Sequence, residues 1–179
     1  VTNDLSETTS YGYDTLGNLT TITDALSEVT TYGYDNRNRL TSVTNALSNV
    51  TSYTYDANSN LTRVTDANSH QTNYAYDAIN RVQTVADALS NTTTYTWDAA
   101  NNITQVRDAL NVTNRYVYDK AKRLTGVDLT NNSTLDITYA YDAASRRTSM
   151  VDVTGTTTYA YDIANRLTGV TAPTTGTVS

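Results

Sequence analysis

Apolar and polar positions alternate along this chain in a pattern that returns about every 21 residues. An aromatic residue, a small residue, a second aromatic residue and an aspartate follow one another, as in Tyr32-Gly33-Tyr34-Asp35. Alternation with a period of two is typical of a β-strand, in which successive side chains point to opposite faces. The pattern therefore predicts a strand that ends at each of these aspartates.

Eight copies of this signature follow one another, and only Trp97 replaces a tyrosine in them. Their aspartates are spaced by 21, 21, 21, 21, 21, 23 and 20 residues. The signature residues are Tyr11, Tyr13 and Asp14; Tyr32, Tyr34 and Asp35; Tyr53, Tyr55 and Asp56; Tyr74, Tyr76 and Asp77; Tyr95, Trp97 and Asp98; Tyr116, Tyr118 and Asp119; Tyr139, Tyr141 and Asp142; and Tyr159, Tyr161 and Asp162. A fixed period of this length indicates tandem copies of one supersecondary unit.

Two columns of mostly apolar residues follow each aspartate and predict a second strand. The fifth residue after the aspartate is Leu19, Leu40, Leu61, Val82, Ile103, Leu124, Arg147 or Leu167, and the eighth is Ile22, Val43, Val64, Val85, Val106, Val127, Met150 or Val170. We expect the first column to lie opposite the small residue of the preceding strand. Both faces of the hairpin would then be moderately apolar.

A tight turn joins the two strands of each copy. The third residue after the aspartate is Gly17, Asn38, Ser59, Asn80, Asn101, Lys122, Ser145 or Asn165. Gly and Asn tolerate a left-handed backbone, and the aspartate can cap the turn by accepting backbone N–H groups about two residues further on. A second turn signal, such as Asp24-Ala25-Leu26-Ser27, follows the second strand and predicts a wider link to the next hairpin.

These elements predict an all-β fold in which tandem β-hairpins form one continuous, curved antiparallel sheet of about 16 strands. We assign residues 1–10 to a partial preceding link or strand, residues 11–170 to eight hairpin repeats and residues 171–179 to a tail or linker. The first and last strands of an open sheet expose unpaired backbone groups. We therefore expect these strands to meet adjoining repeats or other copies of the chain.

Composition narrows the class of protein further. The chain has 15 Tyr but no Phe and no Cys, and its net charge is -6. Tyrosine suits a half-buried surface better than a deep core, and the acidic balance disfavours nucleic acid as a partner. The sequence predicts no disulfide, no membrane span and no cofactor.

The segment Tyr32-Gly-Tyr-Asp-Asn-Arg-Asn-Arg-Leu-Thr-Ser-Val-Thr-Asn45 and its copies resemble the YD-repeat, or Rhs-repeat, family. The resemblance covers about Tyr11 to Val170. It implies a β-sheet that coils into the wall of a hollow shell, as in insecticidal toxin complexes, bacterial Rhs toxins and teneurins. It also implies a secreted or cell-surface bacterial protein and an encapsulated polypeptide as partner. The Pro- and Gly-rich core region that closes such shells, with its autoproteolytic aspartate, has no counterpart in this sequence.

Four sets of residues are candidates for chemistry. His70 lies in a link between hairpins without a spacing that offers a catalytic partner, so we interpret it as a solvated turn residue. The repeated aspartates could form a calcium ladder, but calcium needs six to eight converging oxygens, and turn capping explains the recurrence. Stacked tyrosines could bind sugars. Sequons at Asn18, Asn49, Asn91 and Asn111 follow from the Thr- and Asn-rich repeat.

Two functional hypotheses result from these observations. The first is a structural, non-enzymatic wall or scaffold that encloses a polypeptide or assembles through its open sheet edges. The second is a cell-surface adhesin or carbohydrate-binding module that uses the tyrosines to hold a surface glycan. No metal or catalytic residue is predicted in either case.

Overall fold

A computed structural model of the protein describes residues 8–130 and 132–173, which contain sixteen strands and no helix. The strands are β1 Ser10–Tyr13, β2 Leu19–Thr23, β3 Val29–Tyr34, β4 Leu40–Thr44, β5 Val50–Tyr55, β6 Leu61–Thr65, β7 Gln71–Tyr76, β8 Val82–Ala86, β9 Thr92–Trp97, β10 Ile103–Arg107, β11 Thr113–Tyr118, β12 Leu124–Asp128, β13 Ile137–Tyr141, β14 Arg147–Asp152, β15 Gly155–Tyr161 and β16 Leu167–Thr171. The predicted content of two strands per repeat is confirmed.

The strands follow chain order in one open antiparallel sheet, so each hairpin is continued by the next. Two compact units divide the chain, Val1–Thr92 and Thr93–Ser179. Strands β1 to β8 belong to the first unit, and the second holds β10 to β16 with nearly all of β9. The all-β class with antiparallel hairpin repeats is therefore confirmed. The predictions for residues 1–7 and 174–179 lie outside the described residues.

One turn geometry recurs after the first strand of every hairpin. In the turn from Asp35 to Arg39, the Asp35 N–H donates to the Arg39 carbonyl at 3.0 Å, and the Asn38 N–H donates to the Asp35 carbonyl at 3.0 Å. Asn38 has a φ of 59°. This is the three-residue hairpin loop in which a type I turn is followed by a left-handed residue. The left-handed column predicted from Gly17 to Asn165 is confirmed in all eight copies.

The links between hairpins use the same loop, so the expectation of a wider turn is wrong for the first five of them. Ser27, Ser48, Ser69, Ser90 and Asn111 have φ between 63° and 66°. In the first link the Asp24 N–H donates to the Glu28 carbonyl at 3.0 Å. An aspartate or asparagine followed three residues later by a residue that accepts positive φ is enough to set this loop, and both kinds of turn have that pattern.

The register within each hairpin corrects the predicted pairing. Leu40 lies opposite Tyr34, Ser42 opposite Gly33, and Val43 opposite Tyr32. The leucine column thus faces the second tyrosine rather than the small residue. Directly paired residues share a face, so one face carries the tyrosines with the leucine and valine columns. We call it the tyrosine face. The small residues lie on the opposite face, where their partners are Thr, Ser, Gly, Arg or Gln, so the two faces are not equally apolar.

A β-bulge in every hairpin causes this arrangement. Thr41 is the extra residue between the pairs Tyr34–Leu40 and Gly33–Ser42, and the same shift recurs in the other seven hairpins. A bulge places two residues opposite one, so residues three apart return to the same face. Leu40 and Val43 therefore both lie on the tyrosine face. Their spacing of three, in a strand whose period is two, is the sequence signal of the bulge.

The sixth and seventh links depart from the common loop. The connection between β12 and β13 is longer, and in it the Asp136 carboxylate accepts the Leu129 N–H at 2.6 Å. The Leu135 side chain lies so close over Gly126 that a Cβ atom added to this glycine would be 2.5 Å from Leu135 Cδ1. Val127 and Asp128 beside it are among the most buried residues described, with 6% and 2% exposure. The seventh link is shorter, with Asp152 paired to Gly155.

Candidate functional site

In five copies the second tyrosine of the signature ties its repeat to the one before it. Its hydroxyl donates a hydrogen bond to the backbone carbonyl of the first apolar column of the preceding repeat. These bonds run from Tyr34 to Leu19 at 3.0 Å, Tyr55 to Leu40 at 2.9 Å, Tyr76 to Leu61 at 2.8 Å, Tyr141 to Leu124 at 2.8 Å and Tyr161 to Arg147 at 3.0 Å. The sequence predicted the column but not this bond.

The bulge explains why that carbonyl is available to the hydroxyl. Strands β2 and β3 pair only from Thr21 to Thr23, so Leu19 lies outside their ladder. A backbone carbonyl without a strand partner needs another donor, and the Tyr34 hydroxyl supplies it. Tyrosine can supply this donor and phenylalanine cannot, while the fifth copy has Trp97 at the position. Burial also raises the pKa of the Tyr76 hydroxyl, which keeps it protonated as a donor.

The first tyrosine of each signature differs from the second in the hydrogen bonding of its hydroxyl. Tyr32 and Tyr53 are half-buried on the tyrosine face, opposite Val43 and Val64. Within the described residues, the first-column hydroxyls make no hydrogen bond, in contrast to the five second-column hydroxyls named above.

The signature turns, defined as the eight loops that the signature aspartates open, carry a column that the sequence analysis overlooked. The fourth residue after the aspartate is always arginine or asparagine: Asn18, Arg39, Asn60, Arg81, Asn102, Arg123, Arg146 or Arg166. In all eight turns its side chain donates a hydrogen bond to the Oδ2 atom of the aspartate that opens the turn, at 2.6 to 2.9 Å. Reading this column for composition would have found it.

Arg39 shows how this column joins one repeat to the next. Its Nε donates to Asp35 Oδ2 at 2.7 Å, and its Nη1 donates to the Asp56 carbonyl of the following signature turn at 3.0 Å. The guanidinium also lies 4.7 Å from the centre of the Tyr55 ring. Arg123 and Arg146 repeat the pattern over Tyr141 and Tyr161, at 4.8 and 5.0 Å. Cation–π contacts and charge-assisted bonds thus hold neighbouring repeats together.

Asparagine makes a smaller version of the same link. Asn60 donates to Asp56 Oδ2 at 2.9 Å and to Asn80 Oδ1 of the next signature turn at 2.7 Å. Asn18 likewise reaches Asn38 at 3.2 Å. The chain alternates asparagine and arginine in this column through Arg123. Both residues give the turns a row of bonds from repeat to repeat.

The signature aspartates cap their own turns, as predicted. Asp77 Oδ1 accepts the N–H groups of Ile79 and Arg81, both at 3.0 Å. The backbone bond from Arg81, followed by its side-chain bond and charge, holds the pKa of the Asp77 carboxyl below its usual value. For Asp56 the largest cause of the lowered pKa is the side-chain bond from Asn60. Hydrogen bonds to the ionised form favour that form.

The first five links, which we call the connecting turns, have the same caps but a different surface. Asp24 Oδ1 accepts the N–H groups of Leu26 and Glu28 at 2.9 Å. In the described part of the chain, no hydrogen bond joins one connecting turn to the next. The second residue after the Asp or Asn that opens the turn is leucine in four of the five copies, and these side chains are exposed to solvent: Leu26, Leu47, Leu89 and Leu110.

His70 lies in the third connecting turn, as predicted, and is exposed. Its Nδ1 atom lies 3.0 Å from Asp66 Oδ2, four residues earlier. This contact parallels the arginine and asparagine bonds in the signature turns. The bond from the His70 N–H, followed by the side-chain bond, lowers the pKa of Asp66.

In residues 8–130 and 132–173, no three His, Asp or Glu side chains converge as ligands for a metal ion. The turn aspartates use their oxygens on backbone and side-chain donors of their own loops. The same residues contain no helix that is long and apolar enough to cross a bilayer.

Comparisons with known proteins agree with this geometry. The sequence profile of the teneurin YD-shell matches residues 1–172. A search of curated proteins gave no significant match. Among solved structures, the TcdB2-TccC3-TEV complex aligns over 90% of this chain with a TM-score of 0.74 and 20% identity. The Tc holotoxin pore of Photorhabdus luminescens aligns over 93% with a TM-score of 0.72 and 20% identity.

The chain spans 10% of the length of each of these toxin chains. At this identity the likeness concerns the fold, which is the same antiparallel hairpin array. The profile match covers nearly the whole sequence and coincides with the eight signatures and their bonded turns. The protein belongs to the teneurin YD-shell family, whose fold is a structural shell.

Proposed function

We propose that this chain is a wall segment of a hollow β-shell in a secreted or cell-surface protein, and that the full-length protein encloses a cargo polypeptide. The observation that carries the proposal is the bonding between repeats. Tyr55, Arg39 and their counterparts join each hairpin to its neighbour through backbone carbonyls, which any added copy can continue. A structure of this kind extends without a change of geometry, as a wall requires.

The two faces of the sheet support the same role. The tyrosine face is half-buried and apolar, while the opposite face carries exposed Thr and small residues such as Thr54 and Ala75. Residues 1–10, 11–170 and 171–179 then act as a link, eight wall repeats and a further link. The partners are adjoining repeats, other copies of the chain or the enclosed polypeptide.

Cysteine labelling of the full-length protein tests enclosure, because this chain has no cysteine of its own. Thr51 lies on the tyrosine face and Thr54 on the opposite face of the same strand, so Thr51→Cys and Thr54→Cys form a matched pair. A small maleimide should label both sites in a shell. A maleimide on a large polymer should label only the site that faces outward. Equal labelling of both sites by the large reagent would contradict enclosure.

A sugar-binding or adhesive role is the second candidate, and the free hydroxyls of the first tyrosine column favour it. Tyr32→Phe removes one such hydroxyl, whereas Tyr34→Phe removes one that already bonds Leu19. Binding to a glycan array should fall in the first variant and persist in the second if the tyrosine face holds sugars. If the wild-type protein bound no glycan on the array, the sugar-binding role would be contradicted and the wall would remain as the proposed role.

A further inference from the structure

An exposed row of leucines lies on the connecting turns of the first unit, outside the bonds that join the repeats. Leu26, Leu47 and Leu89 are 81%, 80% and 83% exposed, although apolar side chains of this size normally avoid water. They occupy the same position in successive loops and are interrupted only by Asn68. Two strands separate neighbouring loops, so the row has a spacing of roughly 10 Å.

Two hollows lie between the first two connecting turns and flank this row. One, of about 240 Å³, is lined by Ile22, Asp24, Glu28, Thr30 and Asn45 to Leu47. The other, of about 470 Å³, is lined by Ser27 to Val29, Thr31 and Thr44 to Ser48. Both share Glu28 and Leu47. Apolar and acidic groups are therefore adjacent in a concave surface.

Charge separates these turns from the signature turns of the same unit. The connecting turns carry Asp24, Glu28, Asp66 and Asp87, and they contain no Lys or Arg. The signature turns balance their aspartates with Arg37, Arg39 and Arg81. The Glu28 carboxylate makes no hydrogen bond or ion pair with any described residue. This side of the unit thus presents negative charge that no Lys or Arg of the same turns balances, beside exposed leucine.

We propose that the connecting turns of the first unit bind a cationic amphipathic helix of a partner polypeptide. A helix advances about 10.5 Å in seven residues, so an apolar residue at every seventh position matches the leucine row. Lys or Arg on the flanks of that helix would meet Glu28 and the aspartates. The proposal does not depend on whether the parent protein closes into a shell, because it uses only the turns of this unit.

The test measures the anisotropy of a fluorescein-labelled helical peptide with leucine at every seventh position and lysine on its flanks. The triple variant L26S/L47S/L89S should bind it on the order of tenfold or more weakly. The matched variant L16S/I79S removes exposed apolar residues from signature turns and should bind as the wild type does. Asn68→Leu completes the row and should tighten binding.

Charge is tested in the same assay. Glu28→Gln and added salt should each weaken binding, because exposed charges are screened within about 10 Å at 0.1 M salt. A peptide with serine in place of leucine should bind poorly. Circular dichroism and melting of each variant establish that the sheet is intact, as expected for side chains in solvent.

Three results would overturn the proposal. The first is no binding of the peptide by the wild type, and the second is equal binding by L26S/L47S/L89S and the wild type. The third is sedimentation in which the leucine row joins two copies of the chain and the peptide does not compete. That last outcome would assign the row to self-association.

Discussion

The signature turns and the connecting turns have the same backbone and opposite surroundings. Asp35 and Asp24 cap their loops with the same pair of N–H bonds at 2.9 to 3.0 Å, and a left-handed residue follows each three positions later. Among the described residues, the signature turns are bonded from repeat to repeat, mainly through arginine and asparagine, whereas the connecting turns are not. The loop shape is thus a local property of two residues, whereas coupling between repeats depends on the side chains around it.

Acid should produce the largest effect, because it removes the cap from both kinds of turn at once. Hydrogen bonds lower the folded-state pKa of Asp14, Asp35, Asp66, Asp87 and Asp98, among others, so these carboxylates stabilise the fold above the ordinary pKa of about 4. The stabilisation is lost as the pH falls from about 4 through the lowered values. Melting temperatures measured between pH 7 and pH 2 should drop in this window. A melting temperature that stays constant to pH 2 would contradict the capping role.

Truncation of a second-column tyrosine should be the largest single-residue effect. Tyr55→Ser removes the ring under Arg39 and the bond to the Leu40 carbonyl, and we expect a loss of roughly 2 kcal/mol for a half-buried aromatic side chain. Hydrogen exchange should show that the hairpins on both sides become less protected. Leu47→Ser, in a connecting turn, is the control and should change stability by less than about 0.5 kcal/mol. Loss of protection in one hairpin alone would argue against coupled repeats.

The arginine column should show an intermediate effect. Arg39→Ala loses the bonds to Asp35 and Asp56 and the contact with Tyr55, and we expect a cost of about 1 kcal/mol in chemical denaturation. Arg39→Asn should recover part of this, because Asn60 makes the same kind of link in its own turn. If the alanine and asparagine variants were equally unstable, the link would depend on charge rather than on the shared hydrogen-bond pattern.

A single turn cap should contribute least. Asp77→Ala loses the bonds from the Ile79 and Arg81 N–H groups and should lower the melting temperature by a few degrees. Asp77→Asn should be milder, because Asn45 already caps a connecting turn with its Oδ1 atom at 2.9 and 3.0 Å. Adding calcium should not raise the melting temperature of either variant or of the wild type. A calcium gain that Asp77→Ala abolishes would support a metal ladder instead.

The same contrast shows what the sequence could and could not predict. Strands, turn caps and left-handed residues depend on neighbours in the chain. The repeated positions represented by Asp35 and Asn38 were therefore enough to predict them. The pairing of Leu40 with Tyr34 was missed because the bulge at Thr41 moves one strand by a residue, and only the spacing of three between Leu40 and Val43 signals it. The bond from Arg39 to the Asp56 carbonyl joins residues 17 apart, and no local pattern reports on such a contact.

The variable length of the late links has a consequence for how such genes change. The sixth and seventh spacings are 23 and 20 residues, and the difference lies in the connections at 129–136 and 152–155, while the hairpin register on either side is kept. Duplication or loss of a whole copy would therefore keep the register of the hairpins on either side. Because the differences in length in this chain lie in two links, recombination by whole copies would lengthen the protein without redesigning the sheet.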